Sequence, residues 1–195
     1  GEVVSLIGPS GCGKSTLLSG LAERLRAEGR EPLVTREPGG TPMGDAIRSI
    51  FLEPALTPTP LGEALLINAS RAQLVVDVIA PALRRGEVVL CDRFVDSTLA
   101  YQGYGRGIGL DFLRELCDAA TGGLSPDLTF VLDLPVAISR ERVAGRRANI
   151  DRMEAQDDAF HERVRAGFLD LARAGGRYRV FDATMSPAEL LAQAH

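Results

Sequence analysis

The residues best suited to chemistry lie near the start of the chain, at 8–15, where the sequence is GPSGCGKS. This stretch matches G-x-x-x-x-G-K-[ST] and lies between an apolar run that predicts a strand and a pattern that predicts a helix. Its backbone N–H groups and the start of the helix would bind phosphate. The lysine would reach the β- and γ-phosphates of a nucleotide, and the last serine would join a Mg²⁺ shell. The predicted phosphate-binding residues are Gly8, Ser10, Gly11, Cys12, Gly13, Lys14, Ser15 and Thr16.

Length and composition are those of one globular domain. The 195 residues are 45% hydrophobic and 25% charged, with a net charge of −4, so no broad nucleic-acid surface is expected. No apolar run reaches the roughly 18 residues of a membrane span and no leader pattern is present, which predicts a cytoplasmic protein without a membrane partner. Cys12, Cys91 and Cys117 lack metal-ligand spacing and are expected to be free thiols.

Short apolar runs alternate with helical patterns along the chain. Strands are predicted at 1–7, 32–35, 88–91, 128–132 and 178–181, and helices at 15–28, 43–52, 61–85, 110–120, 136–143, 154–173 and 187–194. This order predicts a single α/β domain over 1–195, with a five-stranded parallel sheet covered by helices on both faces. Gly8, Arg36, Asp92 and Asp182 each follow a strand end, where ligands bind in such sheets.

Three stretches carry more specific predictions. The helix at 61–85 has Pro81 near its end, which predicts a kink or an early stop, and it has an apolar stripe made of Leu65, Leu66, Ala69, Ala72, Val76, Ile79 and Leu83. The glycine-rich residues 101–109 predict a loop. The stretch 140–152 is rich in arginine and contains Gly145. This pattern favours a mobile lid at about 144–153 over a plain basic loop. Asp92 is a candidate to hold Mg²⁺ through water.

From about Arg30 to the C-terminus, the chain resembles the bacterial thymidylate kinases. The matching stretches are TREPGGTP at 35–42, Leu65-Leu66 with Arg71 and Gln73, DRF at 92–94 with Ser97, AYQG at 100–103, GRG at 105–107, PDLT at 126–129, LDL at 132–134, DRME at 151–154 and DAT at 182–184. Their order and spacing make the resemblance specific. It implies a P-loop NTPase fold, a homodimer, and transfer of the γ-phosphoryl group of ATP to thymidine monophosphate (dTMP) with Mg²⁺.

The resemblance also implies roles for single residues. The acceptor-binding residues would be Arg36, Arg48, Ile67, Arg71, Arg93, Ser97, Thr98 and Gln102, with Arg48 and Arg93 gripping the phosphate and Arg71 facing the base. Asp182 and Ala183 would approach adenine mainly through their backbone. The catalytic residues would be Lys14, Asp92, Arg93, Arg142, Arg146 and Arg147, and the metal-binding residues Ser15 and Asp92. In the family's subtype without a loop arginine, the lid supplies the catalytic positive charge, which fits this chain.

Departures from the family pattern concentrate at the acceptor. Ser10 stands where the family has an acidic residue that contacts the sugar, and Ile67 stands where it has a phenylalanine that stacks on thymine. Residues 1–18 alone resemble the phosphate loop of ATP-binding-cassette proteins, although no Leu-Ser-Gly-Gly-Gln signature follows. Three hypotheses therefore remain: a thymidylate kinase, a kinase of the same fold with a shifted acceptor, and a nucleotide-binding regulatory module without turnover.

Overall fold

A computed structural model describes residues 1–146 and 150–194. Within these residues strands and helices alternate, as the apolar pattern predicts. The strands are β1 (Glu2–Ile7), β2 (Leu33–Arg36), β3 (Val88–Asp92), β4 (Leu128–Asp133) and β5 (Tyr178–Asp182). The α-helices are α1 (Lys14–Ala27), α2 (Pro42–Leu52), α3 (Pro60–Leu74), α4 (Ala80–Arg84), α5 (Val95–Thr98), α6 (Leu110–Thr121), α7 (Val136–Ala144), α8 (Asp158–Arg173) and α9 (Pro187–Gln193), and two π-helical segments span Val75–Ile79 and Leu99–Gly105.

The five strands form one parallel sheet in the order β2-β3-β1-β4-β5. The predicted α/β architecture of the P-loop NTPases is therefore confirmed. In the central strand β1, Leu6 and Ile7 are both fully buried although adjacent side chains point to opposite faces. Leu6 packs in a cluster with Leu17 and Leu21 of α1, and Ile7 in a different one. Because both faces are covered, the open ligand site of the sheet is the edge where the strands end.

The predicted long helix is present but is interrupted. The π-helical segment Val75–Ile79 joins α3 to α4, and Pro81 lies one residue inside α4. Proline removes a backbone N–H and crowds the carbonyl four residues earlier, at Asp77. A π turn at that point is the local irregularity by which the helix continues to Arg84.

The apolar stripe predicted for this helix is only partly buried. Leu65 is 49% exposed and Val76 68% exposed, although Ile79 of the same stripe is fully buried. The face of α3 that packs inward instead carries polar residues, among them Glu63, Asn68 and Arg71. Hydrophobic periodicity located the helix but did not indicate these buried polar residues, which pair with other side chains of the same chain.

By length and composition the continuous helix Pro60–Arg84 could cross a membrane, since its best 18-residue window has a mean hydropathy of 1.3. Two buried charged residues argue against that role. Glu63 and Arg71 are at most 1% exposed and pair with Arg106 and Glu37 of the same chain. The helix also packs against α2 and α6. These are the features of a helix in the core of a folded domain.

The structure corrects two element predictions. Residues predicted as a loop at 101–109 are helical as far as Gly105. A Cβ on Gly105 would lie 2.6 Å from Phe160 of α8, and one on Gly103 would lie 2.5 Å from Leu110. These glycines therefore allow close helix packing rather than a turn. The helix predicted from 154 starts at Asp158 because Asp157 caps it, accepting from Phe160 N–H at 2.7 Å.

Candidate active site

A cavity of about 430 Å³ lies at the carboxyl ends of the strands. Its wall is formed by the loop after β1, the ends of β2 and β3, α2, α3, α5 and the segment leading into α8. It brings together sixteen residues predicted for the site: Ser10, Gly11, Gly13, Lys14, Ser15, Thr16, Arg36, Arg48, Ile67, Arg71, Asp92, Arg93, Ser97, Thr98, Gln102 and Arg146. The parallel sheet explains this convergence, because its strands all end at one edge.

The loop between β1 and α1 has the backbone that phosphate binding needs. Gly8, Gly11 and Gly13 have φ angles of 147°, 76° and 92°, which other residues rarely adopt. Gly13 is the N-cap of α1. Because glycine has no side chain to cap the helix, the N–H groups of the first turn are left for an anion. Cys12 is buried below the loop, with 1% of its surface exposed, and does not line the cavity.

Lys14 lies across the centre of this loop. Its Nζ donates to the carbonyl oxygens of Gly8 at 3.1 Å and Pro9 at 2.9 Å, and the residue is 8% exposed. These two hydrogen bonds fix the positive charge against the backbone of the loop. A phosphate in the loop would offer Nζ a charged acceptor in place of these neutral carbonyls, and charge-assisted hydrogen bonds are the stronger kind.

Ser15 and Asp92 form an oxygen pair beside the loop. The Ser15 hydroxyl donates to Asp92 Oδ2 at 3.4 Å. Asp92 Oδ1 is buried and has no hydrogen-bond partner in the part of the chain that the structure describes. That same part has no cluster of three or more His, Cys, Asp or Glu residues that could hold a metal. Two oxygens beside a phosphate loop fit Mg²⁺, which takes few protein ligands and completes its shell with water and phosphate.

Arg93, directly after Asp92, has a strained backbone. Its φ of 72° is the one positive value among the described residues other than glycine, and such a conformation costs about 1–3 kcal/mol. The turn directs the guanidinium to Tyr101, whose hydroxyl accepts from Nη2 at 3.2 Å and whose ring centre lies 5.0 Å away. Nη1 is buried and, within the described chain, has no partner. A strained arginine with a free buried donor is suited to hold an anion.

Arg36 and Arg48 add to the positive charge near Arg93 in the cavity. Burial lowers the pKa of Arg48, and repulsion from Arg36 and Arg93 lowers that pKa further. Arg48 Nη1 donates to the Pro38 carbonyl oxygen at 3.0 Å. Arg36 forms an ion pair with Asp45, with 3.6 Å between Nη2 and Oδ1. A bound dianion would relieve the repulsion among the three guanidinium groups.

Arg71 lies in the cavity wall and is held by other side chains. Glu37 accepts from its Nε and Nη2 at 2.9 and 2.7 Å, Asn68 from Nη1 at 2.9 Å, and Thr98 from Nη2 at 3.0 Å. Burial lowers the pKa of Arg71, but the Glu37 carboxylate outweighs it and the net shift is upward. Arg71 therefore remains charged and keeps a fixed orientation toward the cavity.

The remaining predicted acceptor residues lie around Arg71. Ser97 Oγ and Gln102 Oε1 are buried without a partner among the described residues. Ile67 is 8% exposed and packs in one apolar cluster with Phe51 and Tyr101. The cavity thus combines an apolar wall with free polar atoms, which is the usual make-up of a small-molecule site.

The predicted lid arginines separate in the structure. Arg146 lines the cavity and pairs with Glu154 at 2.6 Å. Arg142 does not line it: its Nη1 donates to the carbonyl oxygens of Gly11 at 3.3 Å and Ala183 at 3.0 Å. Arg147, also predicted as catalytic, lies outside the described residues.

The predicted adenine residues do not line the cavity: Asp182 is the last residue of β5 and Ala183 follows it. Ala183 N–H donates to the Asp133 carbonyl at 2.8 Å, and Asp182 accepts from the N–H and hydroxyl of Thr184 at 2.9 and 2.7 Å. These hydrogen bonds lower the pKa of Asp182. Since Arg142 bonds to both Ala183 and Gly11, this turn is tied to the outer side of the phosphate loop.

Sequence patterns missed several residues of the site. Glu37 lines the cavity and pairs with Arg71, and Glu63 is a buried carboxylate that pairs with Arg106 and Arg152. A signal existed for Glu63, because Glu63, Ile67 and Arg71 are spaced i, i+4 and i+8 and so share one helix face. His161 also lines the cavity, and burial together with Arg140 lowers its pKa. Nothing in the sequence around His161 distinguishes it from a surface position of α8.

Comparison with known proteins agrees with this geometry. The thymidylate kinase family profile matches residues 8–194. A thymidylate kinase of Deinococcus radiodurans is 55% identical over 99% of this chain and 94% of its own length. Those of Thermomicrobium roseum and Cereibacter sphaeroides are 52% and 50% identical over at least 98% of this chain and at least 90% of theirs. The match begins at the phosphate loop and continues through α9, so the chain belongs to the thymidylate kinase family.

Proposed function

We propose that this protein transfers the γ-phosphoryl group of ATP to dTMP and forms dTDP. The observation that supports this most is the arrangement of positive charge in one cavity. The phosphate loop with Lys14 lines this cavity together with Arg36, Arg48 and Arg93, and the three arginines lie close enough for Arg36 and Arg93 to lower the pKa of Arg48. Transfer between two nucleotides requires two sets of phosphate contacts in one cavity.

On this proposal the loop N–H groups and Lys14 bind the phosphates of ATP. Phosphoryl transfer is accelerated mainly by positioning and by positive charge near the equatorial oxygens of the transferred group. Lys14 meets both demands, because its ammonium is held rigidly by loop carbonyls. Ser15 and Asp92 would hold Mg²⁺, which when bound neutralises charge on the β- and γ-phosphates.

The acceptor phosphate would be bound by Arg93 and Arg48. The free Nη1 of Arg93 supports this role, since a phosphate oxygen would satisfy it. The base would lie against Ile67 and Tyr101, near Arg71 and the free polar atoms of Ser97 and Gln102. This arrangement would hold the acceptor oxygen in line with the γ-phosphate and exclude water from it.

Arg146 is the lid arginine best placed to act on the reacting phosphates. It lines the cavity, and its partner Glu154 lines it too. An arginine that leaves a carboxylate for the transferred group would stabilise charge that is greatest in the transition state.

A direct test is ADP production with Mg²⁺-ATP and a panel of nucleoside monophosphates. We expect dTMP to give the highest kcat/KM. Turnover of another monophosphate in preference to dTMP would favour a shifted acceptor, and binding of ATP without turnover of any would favour a regulatory module. Lys14→Ala is the control that removes the loop's charge.

We further propose a cytoplasmic homodimer that has neither a nucleic-acid nor a membrane partner. Leu61, Leu65 and Val76 are 47%, 49% and 68% exposed and recur at helical spacing on the outer side of the long helix. A second copy would cover this apolar row. Light scattering at micromolar concentration should give twice the chain mass, and a monomer mass would reject the dimer.

A further inference from the structure

Glu63 is a buried carboxylate that binds one side chain of the cavity wall, that of Gln102, and two arginines behind it. It is 1% exposed and projects from α3. Arg106 donates to it at 2.8 and 3.1 Å, Arg152 donates to Oε1, and Gln102 Nε2 donates to Oε2 at 3.2 Å. No motif and no comparison assigns a role to this residue.

The two arginines keep Glu63 ionised. Burial alone would raise its pKa, but the hydrogen bonds from Arg106, Arg152 and Gln102 outweigh burial and lower that pKa. An ionised carboxylate can only accept hydrogen bonds. The Gln102 amide must therefore turn its NH₂ group, and not its oxygen, toward Glu63.

The other end of the Gln102 amide is then also fixed. Gln102 is fully buried and lines the cavity, and its Oε1 has no partner within the described residues. An amide oxygen is an acceptor, so a ligand group that pairs with it must be a donor. With a side chain at position 63 that is neutral or does not reach Gln102, the amide could rotate and present its NH₂ group to the cavity instead.

We propose that Glu63 is a specificity-determining positioning residue, which fixes the Gln102 amide so that the pocket accepts a base presenting an N–H. The inference rests on the proposed function. Thymine has an N–H at N3, whereas cytosine has a lone pair there and would meet the Gln102 oxygen with repulsion. Glu63 would thus discriminate between the two bases without touching either.

The test compares dTMP and dCMP as acceptors for the whole protein. Glu63→Gln keeps the size of the side chain but can both donate and accept, so the Gln102 amide is released. We expect the ratio of kcat/KM for dTMP to that for dCMP to fall about tenfold, the value of one neutral hydrogen bond. Gln102→Leu should lower the ratio similarly, and adding Glu63→Gln to it should lower the ratio no further.

Asp96→Asn is the matched control, because Asp96 is a fully buried carboxylate paired with Arg177 at 2.7 Å, and its hydrogen bonds within the described chain go to Thr129, Arg177 and Tyr178 rather than to Gln102. It should reduce stability and leave the ratio unchanged. If Glu63→Gln lowers kcat/KM equally for dTMP and dCMP, the ratio is unchanged and the proposal is overturned. Glu63 would then have a structural role only. Should Glu63→Gln not fold, Glu63→Asp decides: it keeps the charge but withdraws the oxygens from Gln102, so an unchanged ratio would also overturn the proposal. Failure of the unmodified protein to use dTMP would instead contradict the proposed function.

Discussion

The strained backbone of Arg93 permits a test that separates its conformation from its charge. Arg93→Ala and Arg93→Gly both delete the guanidinium and its contact with Tyr101. They differ in how well they tolerate the φ of 72°. Alanine adopts it at a cost in free energy, whereas glycine adopts it without that cost. Any difference in stability between the two variants therefore reports the strain.

The expected difference follows from the left-handed conformation. It costs a residue with a Cβ roughly 1–2 kcal/mol, and part of this is offset because glycine loses more entropy on folding. We expect Arg93→Gly to be more stable than Arg93→Ala by about 1 kcal/mol, or about 2–4 °C in Tm for a chain of this size.

The two variants should lose acceptor binding to the same extent. Removing a charge-assisted hydrogen bond costs about 1.5–3 kcal/mol, or about ten- to a hundredfold in Kd for dTMP. At a dTMP concentration of about 100 times the original Kd, ligand-induced stabilisation should fall from about 2.7 kcal/mol to about 1.4 kcal/mol or less. Thermal unfolding with and without dTMP measures both effects in one experiment.

Arg114 provides the matched control. It lies inside α6 and is paired with Asp111 on the surface, so its two variants lose the same contact in a right-handed helix. There the order should reverse, with Arg114→Gly less stable than Arg114→Ala by about 1 kcal/mol. Equal stability of the two Arg93 variants, or a more stable alanine variant, would show that the backbone at Arg93 is not strained.

Four further variants test other parts of the site. Lys14→Ala should remove most turnover while circular dichroism remains unchanged, and near-normal ADP production would contradict the assignment of the loop. Arg146→Ala should lower kcat far more than it raises KM for dTMP. By contrast, Arg142→Ala removes hydrogen bonds to the backbone of Gly11 and Ala183 and should mainly raise KM for ATP. A variant with lower kcat and unchanged KM would instead indicate that Arg142 acts on the reacting phosphates. Ser10→Asp combined with Ile67→Phe should tighten dTMP binding by about 1–4 kcal/mol, measured by calorimetry, because it adds a charged acceptor and a stacking face; unchanged affinity would refute this.

Sequence patterns predicted the sheet and its ligand edge well, for a physical reason. Continuous apolar runs such as VVLC at 88–91 have few alternatives to a buried strand. The ends of such strands bring Lys14, Arg36 and Asp92 together whatever the loops between them do. The convergence of these residues at one edge is thus a consequence of topology, which local patterns specify.

The same patterns failed where polar groups are buried. Periodicity marked an apolar stripe on the long helix but gave no sign that Glu63 and Arg71 are buried, while Leu65 and Val76 of the stripe are exposed. A pattern of apolar residues cannot anticipate a charge whose burial depends on a partner from another element, as Arg71 depends on Glu37. Likewise, Gly103 and Gly105 suggested a loop because their packing against α6 and α8 is a tertiary property.

Unsatisfied polarity locates the site independently of any motif. Of the seven buried side-chain atoms without a hydrogen-bond partner in the described chain, five belong to residues that line the cavity: Asp92, Arg93, Ser97, Gln102 and His161. Their concentration in one cavity marks the part of the described chain with the most unused hydrogen-bonding capacity. A bound nucleotide would pair several of these atoms at once, so they are the groups expected to provide affinity and specificity.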